Sequence, residues 1–239
     1  MASVSADSEP PAAEPSLSVR PATGARSRRL LLLGALTWLV QPLYLVAELV
    51  AAAGSSVPYS LLDQTISDLG VTTCTSIDYP YGPVEVCSPW HALVNGSLVV
   101  FGALLALGAV VLHRFLPRRP LTTLATVLWV VAGLSSIATG LVPLDRGVEL
   151  HALVALPALL AQPVALLLLA AALRRAWPGL AGWTAVAGVV SVVGMVAFLV
   201  LATSPELGGL GERLAFWPTY LWVPAVAAVL LRQPARRHG

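Results

Sequence analysis

Ionisable and hydroxyl side chains in this sequence gather in short stretches between long apolar runs. One such stretch, DQTISDLG at 63–70, holds two carboxylates and two hydroxyls. Histidines begin two later runs, in HALVN and HALVALPALL. If the helices that carry them adjoin, these groups meet at one depth and form a small polar site. The candidate site residues are Ser67, Asp68, His91, Asp145 and His151.

Two kinds of chemistry suit these residue types. Two histidines and one carboxylate form a known catalytic zinc set, which leaves one coordination position for water. Ser67 would then orient a substrate, or a carboxylate would serve as general base. The sequence contains neither HExxH nor GxSxG, the spaced signatures of common hydrolases. The metal-ligand candidates are Asp68, His91, Asp145 and His151.

A simpler interpretation is that the same residues have structural roles. Helix N-termini favour acidic and polar caps, and the outer loops of membrane proteins are generally polar. Asp145 and Glu149 would then cap the run that His151 begins. A non-metal site for a small ligand or lipid headgroup is the third possibility.

Composition places the elements that carry these residues in a membrane. The chain is 57% apolar and only 11% charged, whereas a soluble domain carries about a quarter charged residues. The apolar residues fall in runs near the ~20 residues that cross a bilayer as a helix. We therefore predict an all-α integral membrane bundle of six transmembrane helices. The predicted spans are 30–53, 91–112, 121–143, 151–173, 181–203 and 214–231.

The arginines predict the orientation of these helices. Twelve of the 14 basic residues, all of them Arg, fall at the two termini and in the second and fourth connections. The positive-inside rule makes that side cytoplasmic and turns DQTISDLG outward. We predict a multi-pass protein of a bacterial inner (plasma) membrane with both termini cytoplasmic. Because the arginines form no patch, nucleic acid is not an expected partner.

The chain divides into tails and one membrane domain. Residues 1–29 contain almost no large apolar side chains, which predicts a disordered cytoplasmic tail. Residues 30–231 form the transmembrane domain, and 232–239 are a second cytoplasmic tail. A signal-peptide interpretation of the first run is the alternative to a retained helix, although the run is long for an h-region.

The long outer loop at 54–90 carries two further predictions. In PYSLLDQTISDLG the spacing of Leu62, Ile66 and Leu69 indicates a short amphipathic helix. We expect it to lie across the outer mouth of the bundle with that apolar stripe facing down. Cys74 and Cys87, the only cysteines, lie in the same external loop. Because thiols outside the cytoplasm are generally oxidised, we predict a disulfide between them.

The middle of the predicted membrane region offers few ionisable groups. Within the six runs only Glu48 is charged, and it lies near the outer end of its run. Ion- and proton-coupled carriers place acids or histidines deep in the bundle. A coupled transporter is therefore disfavoured.

Three segments together resemble a known family. YSLLDQTISDLG follows the first run, GLVPLD closes the third, and ELHALVALPALL opens the fourth. They resemble the prokaryotic membrane family called domain of unknown function 998, over about residues 30–231. The resemblance implies a six-helix integral membrane protein and carries no established activity. By motif match it points to Ser67, Asp68, Gly70, Pro143, Asp145 and His151.

These observations predict a membrane protein with an outward-facing polar site for a lipid headgroup or small ligand. Membrane lipid is the expected partner, and protein partners are unknown. One alternative is a membrane-embedded metal-dependent hydrolase or transferase, with zinc as its cofactor. Another is an assembly partner of a second membrane protein. The sequence does not decide whether the protein is an enzyme.

Overall fold

The computed structural model describes residues 24–201 and 204–232, and the predictions for the rest of the two tails lie outside these residues. Seven helices are described, and α1 begins at Ala25, earlier than the predicted tail boundary at 29. The helices are α1 (Ala25–Leu39), α2 (Leu43–Ala53), α3 (His91–Leu112), α4 (Pro120–Leu141), α5 (Val148–Leu173), α6 (Pro178–Leu201) and α7 (Gly208–Leu231).

The helices form one closed ring. Each of α3 to α7 packs against the next along the chain, and α1 closes the ring by packing against both α3 and α7. Within the described residues, six helical segments are long and apolar enough to cross a membrane, with α1 and α2 counted as one segment. The predicted all-α bundle and its six spans are confirmed, so the chain is a multi-pass membrane protein.

The first span is interrupted at Gln41 and Pro42, between α1 and α2. Proline has no N–H to donate, so it leaves a carbonyl of the preceding turn without its helical partner. The Gln41 side-chain amide donates to the carbonyl oxygens of Thr37 at 3.2 Å and of Phe101 on α3 at 3.1 Å. The break is therefore satisfied by a side chain and tied to the neighbouring helix.

The last span begins earlier than predicted. Helix α7 starts at Gly208 instead of 214, so Glu212 and Arg213 belong to the helix and are 6% and 4% exposed. The prediction that only Glu48 is charged within the spans was wrong for this reason. Charged residues rarely enter a span without partners. Here they have partners.

The outer loop differs in form from the prediction. Residues 61–64 are turns, and only Ser67–Gly70 forms a short 3-10 helix. Leu62 is 53% exposed, whereas Ile66 and Leu69 are buried. The predicted amphipathic helix is therefore wrong as a continuous helix, although its later half does pack down. The bend arises because backbone groups of the turn bond to side chains of α7.

The loop continues as a small antiparallel hairpin of β1 (Thr75–Tyr79) and β2 (Gly82–Val86). The Cys74–Cys87 disulfide closes the base of this hairpin, as predicted. In β1 and β2, Ile77 and Val86 are buried and pack with Val71 and Leu144. The hairpin is thereby fixed to the connection between α4 and α5.

Aromatic rings fill the core away from the outer surface. The ring of Trp222 on α7 stacks on that of Trp129 on α4, with centroids 5.8 Å apart, and lies 6.1 Å from that of Trp38 on α1. The Trp222 indole donates to the Thr184 hydroxyl on α6 at 2.7 Å. These rings connect four helices around the bundle axis.

Candidate functional site

Two of the candidate residues meet directly. Ser67 begins the 3-10 helix of the outer loop, and His151 lies in the first turns of α5. The Ser67 Oγ is 2.8 Å from the His151 Nε2, within hydrogen-bonding distance. Ser67 is half-buried and His151 is 6% exposed. Residues 84 positions apart in sequence thus form one pair, called here the Ser67–His151 pair.

The second imidazole nitrogen determines the tautomer of this histidine. The His151 Nδ1 lies 2.6 Å from the carbonyl oxygen of Val142, just after the end of α4. A carbonyl oxygen can only accept, so Nδ1 must carry a proton. In the neutral ring Nε2 is then an acceptor, and the Ser67 hydroxyl donates to it. This is the arrangement of a serine facing a base that a third group orients.

Asp68 lies next to Ser67 in sequence but faces other partners. It is 3% exposed and accepts from the Tyr79 hydroxyl at 2.6 Å and the Thr65 N–H at 2.8 Å. Burial raises the pKa of Asp68, although the hydrogen bonds from Tyr79 and Thr65 act in the opposite direction. Burial and the neighbouring Asp68 carboxyl raise the pKa of the Tyr79 hydroxyl. Asp68 therefore anchors the hairpin to the outer loop.

The other two candidates have separate local roles. Asp145 accepts from the N–H and hydroxyl of Thr72, at 3.0 and 2.6 Å, and ties the loop to the α4–α5 connection. His91 at the start of α3 is 2.9 Å from the Ser88 carbonyl oxygen through its Nδ1. In the part of the chain that is described, no three His, Cys, Asp or Glu side chains could hold a metal ion together. The geometry gives the zinc hypothesis no support there.

A buried ion pair holds the outer loop on the bundle. The Arg213 Nε donates to Glu48 Oε1 at 2.9 Å, and the two side chains are 4% and 0% exposed. The other nitrogens of Arg213 donate to the Tyr59 hydroxyl and to the backbone oxygens of Leu61, Gln64 and Gly209. Trp217 donates to the second oxygen of Glu48. We call these groups the Arg213 cluster.

Glu212 connects this cluster to the Ser67–His151 pair. Its carboxylate accepts the N–H of Ile66, one residue before Ser67. Asp63 fixes the other side of the turn, because it accepts the Leu207 N–H at 3.0 Å and the Ser60 hydroxyl at 2.7 Å. The N–H of Leu207 is the largest cause of the lowered pKa of Asp63. The position of Ser67 is therefore set from both sides by α7.

A cavity of about 240 Å³ opens beside the pair, between the outer ends of α5, α6 and α7. Its polar end carries Thr65, Ser67, Tyr79, His151 and Glu212, and the remaining walls are apolar. Leu156 and Leu199 line the cavity and are also 39% and 48% exposed on the flank of the bundle. The cavity thus opens sideways, between helices that are long and apolar enough to cross a membrane. We call it the lateral cavity.

A smaller chamber of about 40 Å³ adjoins it deeper in the bundle. Ser67, Ala155, Glu212 and Phe216 line both spaces. Gln162 also lines the chamber, and both polar atoms of its buried side chain have no protein partner. This volume is enough for a water molecule. Polar groups therefore extend below Ser67 into the span.

Sequence reasoning found Ser67 and His151 but missed Tyr59, Tyr79, Glu212 and Arg213. The signal for the last two was the adjacent pair of opposite charges at the head of an apolar run, combined with the lone Glu48 in another run. A buried charge requires a partner of opposite sign. That requirement would have paired Glu48 with Arg213.

Comparison with known proteins identifies a family for this chain. A family model described as "Protein of unknown function (DUF998)" matches residues 26–229. No curated protein and no solved structure matches the chain.

Proposed function

The chain belongs to the DUF998 family, and we propose that it binds a neutral amphiphile with a single apolar chain. The apolar chain occupies the lateral cavity, and the polar head meets Ser67 and His151 at the outer end. The observation that carries this proposal is the form of the cavity: apolar walls, one polar end and an opening on the flank of the bundle. A binding site of this kind is concave and mostly apolar, with a few convergent polar groups.

The size of the lateral cavity favours a ligand with a single acyl chain. Pockets for drug-sized ligands measure about 300–1,000 Å³, and the lateral cavity is about 240 Å³. It has room for one acyl segment and its polar link, with the rest of the molecule outside. The exposed positions of Leu156 and Leu199 allow that remainder to stay in the surrounding lipid.

The charges favour a neutral head. The described residues that line the cavity include Glu212 and no arginine. The nearby Arg213 already donates to Glu48, Tyr59 and three backbone oxygens. A phosphate would therefore meet a buried carboxylate without a free cation, which is unfavourable. A monoacylglycerol has the required combination of an ester, hydroxyls and one chain.

The proposal includes an orientation. We place the protein in the plasma membrane with both termini cytoplasmic and the lateral cavity at the level of the outer leaflet, because of the twelve-to-two arginine distribution. An epitope tag inserted at Asp78 in the hairpin should be accessible in intact cells, and a C-terminal tag should not. An accessible C-terminal tag would contradict the orientation.

Photocrosslinking tests the binding site. A monoacylglycerol with a diazirine in its chain should label peptides from the outer halves of α5, α6 and α7 of the purified protein in nanodiscs. Ala155 lines both the lateral cavity and the deeper chamber. Ala155→Phe should reduce labelling about tenfold, which corresponds to about 1.4 kcal/mol of lost binding.

The matched control is Leu153→Phe, two residues away on the same helix. Leu153 is 66% exposed on the flank and does not line the cavity, so this variant should label as strongly as the original protein. Equal labelling of Ala155→Phe would contradict the site. Stronger competition by lysophosphatidic acid than by unmodified monoacylglycerol would contradict the neutral head.

Two other functions were also predicted from the sequence. The metal-dependent hydrolase has no geometric support, because no three His, Cys, Asp or Glu side chains in the described residues could hold a metal ion together. Assembly with another membrane protein stays a prediction without a specific observation in its favour.

A further inference from the structure

We infer that Ser67 and His151 are the nucleophile and general base of an ester hydrolase, and that the substrate is the acyl ester of the bound amphiphile. This inference rests on the proposed function for the binding of its substrate. It adds a reaction, and it uses neither a metal nor a cofactor.

The geometry of the pair carries the inference. The Ser67 Oγ and His151 Nε2 are 2.8 Å apart, within the 2.6–3.2 Å that proton transfer requires. The proton on Nδ1 is held by the Val142 carbonyl oxygen at 2.6 Å, so Nε2 is the nitrogen left to act as base. When Nε2 takes a second proton, the imidazolium faces the carbonyl end of α4. The negative end of a helix dipole stabilises a positive charge there.

The surroundings of Ser67 suit a nucleophile. Its side chain lines the polar end of the lateral cavity, so an ester bound there lies next to Oγ. The backbone around it is immobilised, since Glu212 accepts the N–H of Ile66 and Asn95 donates to the carbonyl of Gly70. Catalytic groups need such fixed positions to react efficiently. Ser67 is only half-buried, so its hydroxyl is not sealed inside the protein.

The group that orients the His151 imidazole is the Val142 carbonyl and not the Asp68 carboxyl. The Asp68 carboxyl bonds to Tyr79 and Thr65 instead of the imidazole. Asp68 and Tyr79 thus act as positioning residues for the loop that holds Ser67. Their substitution should change binding and turnover together.

The reaction balances with water as the second substrate. Ser67 Oγ attacks the ester carbonyl carbon while its proton passes to His151 Nε2. The tetrahedral intermediate expels the alcohol, which takes that proton, and leaves the acyl group on Ser67. Water then attacks the acyl carbon and gives its proton to Nε2. The bond between the acyl carbon and Ser67 Oγ then breaks, and Oγ takes the proton from Nε2. The net reaction converts ester and water into fatty acid and alcohol.

A fluorophosphonate probe tests the nucleophile. The probe should label the purified protein in nanodiscs covalently at Ser67, as shown by peptide mass spectrometry, and 1-monooleoylglycerol should be hydrolysed to oleate. Ser67→Ala should lose both labelling and hydrolysis. His151→Gln, which keeps a polar side chain but has no basic nitrogen, should lower the hydrolysis rate at least about a hundredfold, the lower range for general base catalysis.

Controls separate this inference from the proposed function. Ser76→Ala should leave labelling and hydrolysis unchanged, because Ser76 lies in the same outer loop but is exposed on β1 and does not line the lateral cavity. Ser67→Ala should still crosslink the diazirine monoacylglycerol, which also shows that it is folded. Crosslinking of the original protein without labelling or hydrolysis would overturn the catalytic inference and leave binding intact. Labelling at Ser67 without crosslinking in the cavity would overturn the proposed substrate site instead.

Discussion

Arg213→Met should be among the most destabilising single substitutions in this protein. The change leaves the Glu48 carboxylate buried without its cation and removes a donor from Tyr59 and three backbone oxygens. Removing one partner of a buried ion pair costs about 3–5 kcal/mol. We expect that loss in the free energy of unfolding, measured by denaturant titration in detergent micelles.

The control is Arg146→Met, on the exposed turn between α4 and α5, which should change the free energy by less than about 0.5 kcal/mol. Combining Glu48→Gln with Arg213→Met should cost less than the sum of the two single changes, because the double variant no longer leaves a Glu48 charge buried without its partner. Additive costs, or an Arg213→Met variant as stable as the original protein, would show that the pair does not hold the loop.

Trp222→Ala should have an effect of similar size through packing alone. Trp222 is fully buried, stacks on Trp129 and donates to Thr184. Large-to-small changes of buried Trp cost about 3–5 kcal/mol in soluble proteins. We expect about 3 kcal/mol here, because lipid solvates apolar groups in the unfolded protein and only the packing loss remains. Thermal unfolding followed by tryptophan fluorescence measures it.

Trp183→Ala is the matched control for this change. Trp183 lies on α6 with 49% of its surface exposed on the flank of the bundle, so its removal should change the unfolding temperature little. Equal shifts for the two variants would mean that the aromatic cluster is not a main source of stability.

The sequence predicted the membrane helices well because that signal is local. Each span is an apolar run of sufficient length, and the thickness of the bilayer sets the number of residues that a helix needs to cross it. The disulfide was also predictable, since the arginine distribution predicts that its loop is external, where thiols are generally oxidised. Neither prediction depends on which helices meet.

The arrangement of the site depends on contacts that no local pattern encodes. Ser67 and His151 were both identified as polar residues at the outer surface, but their pairing requires α5 to lie beside the 3-10 turn. Tertiary hydrogen bonds also override local helix propensity in the turn at 61–64. There Arg213 donates to two backbone carbonyl oxygens that would accept backbone N–H groups in a helix. The position of α7 could not be read from hydropathy, because its first turns carry Glu212 and Arg213, and the partner of Arg213 is Glu48 on another helix.

The amphiphile site is the central claim, and a structure of the complex tests it most directly. We expect electron cryomicroscopy of the Ser67→Ala protein in nanodiscs with 1-monooleoylglycerol to show its acyl chain between α5, α6 and α7. The ester carbon should lie within about 4 Å of the side chain at residue 67, the range of van der Waals contact. A chain bound instead along the apolar groove beside Trp183 and Trp217, with the lateral cavity closed by protein side chains, would contradict the account.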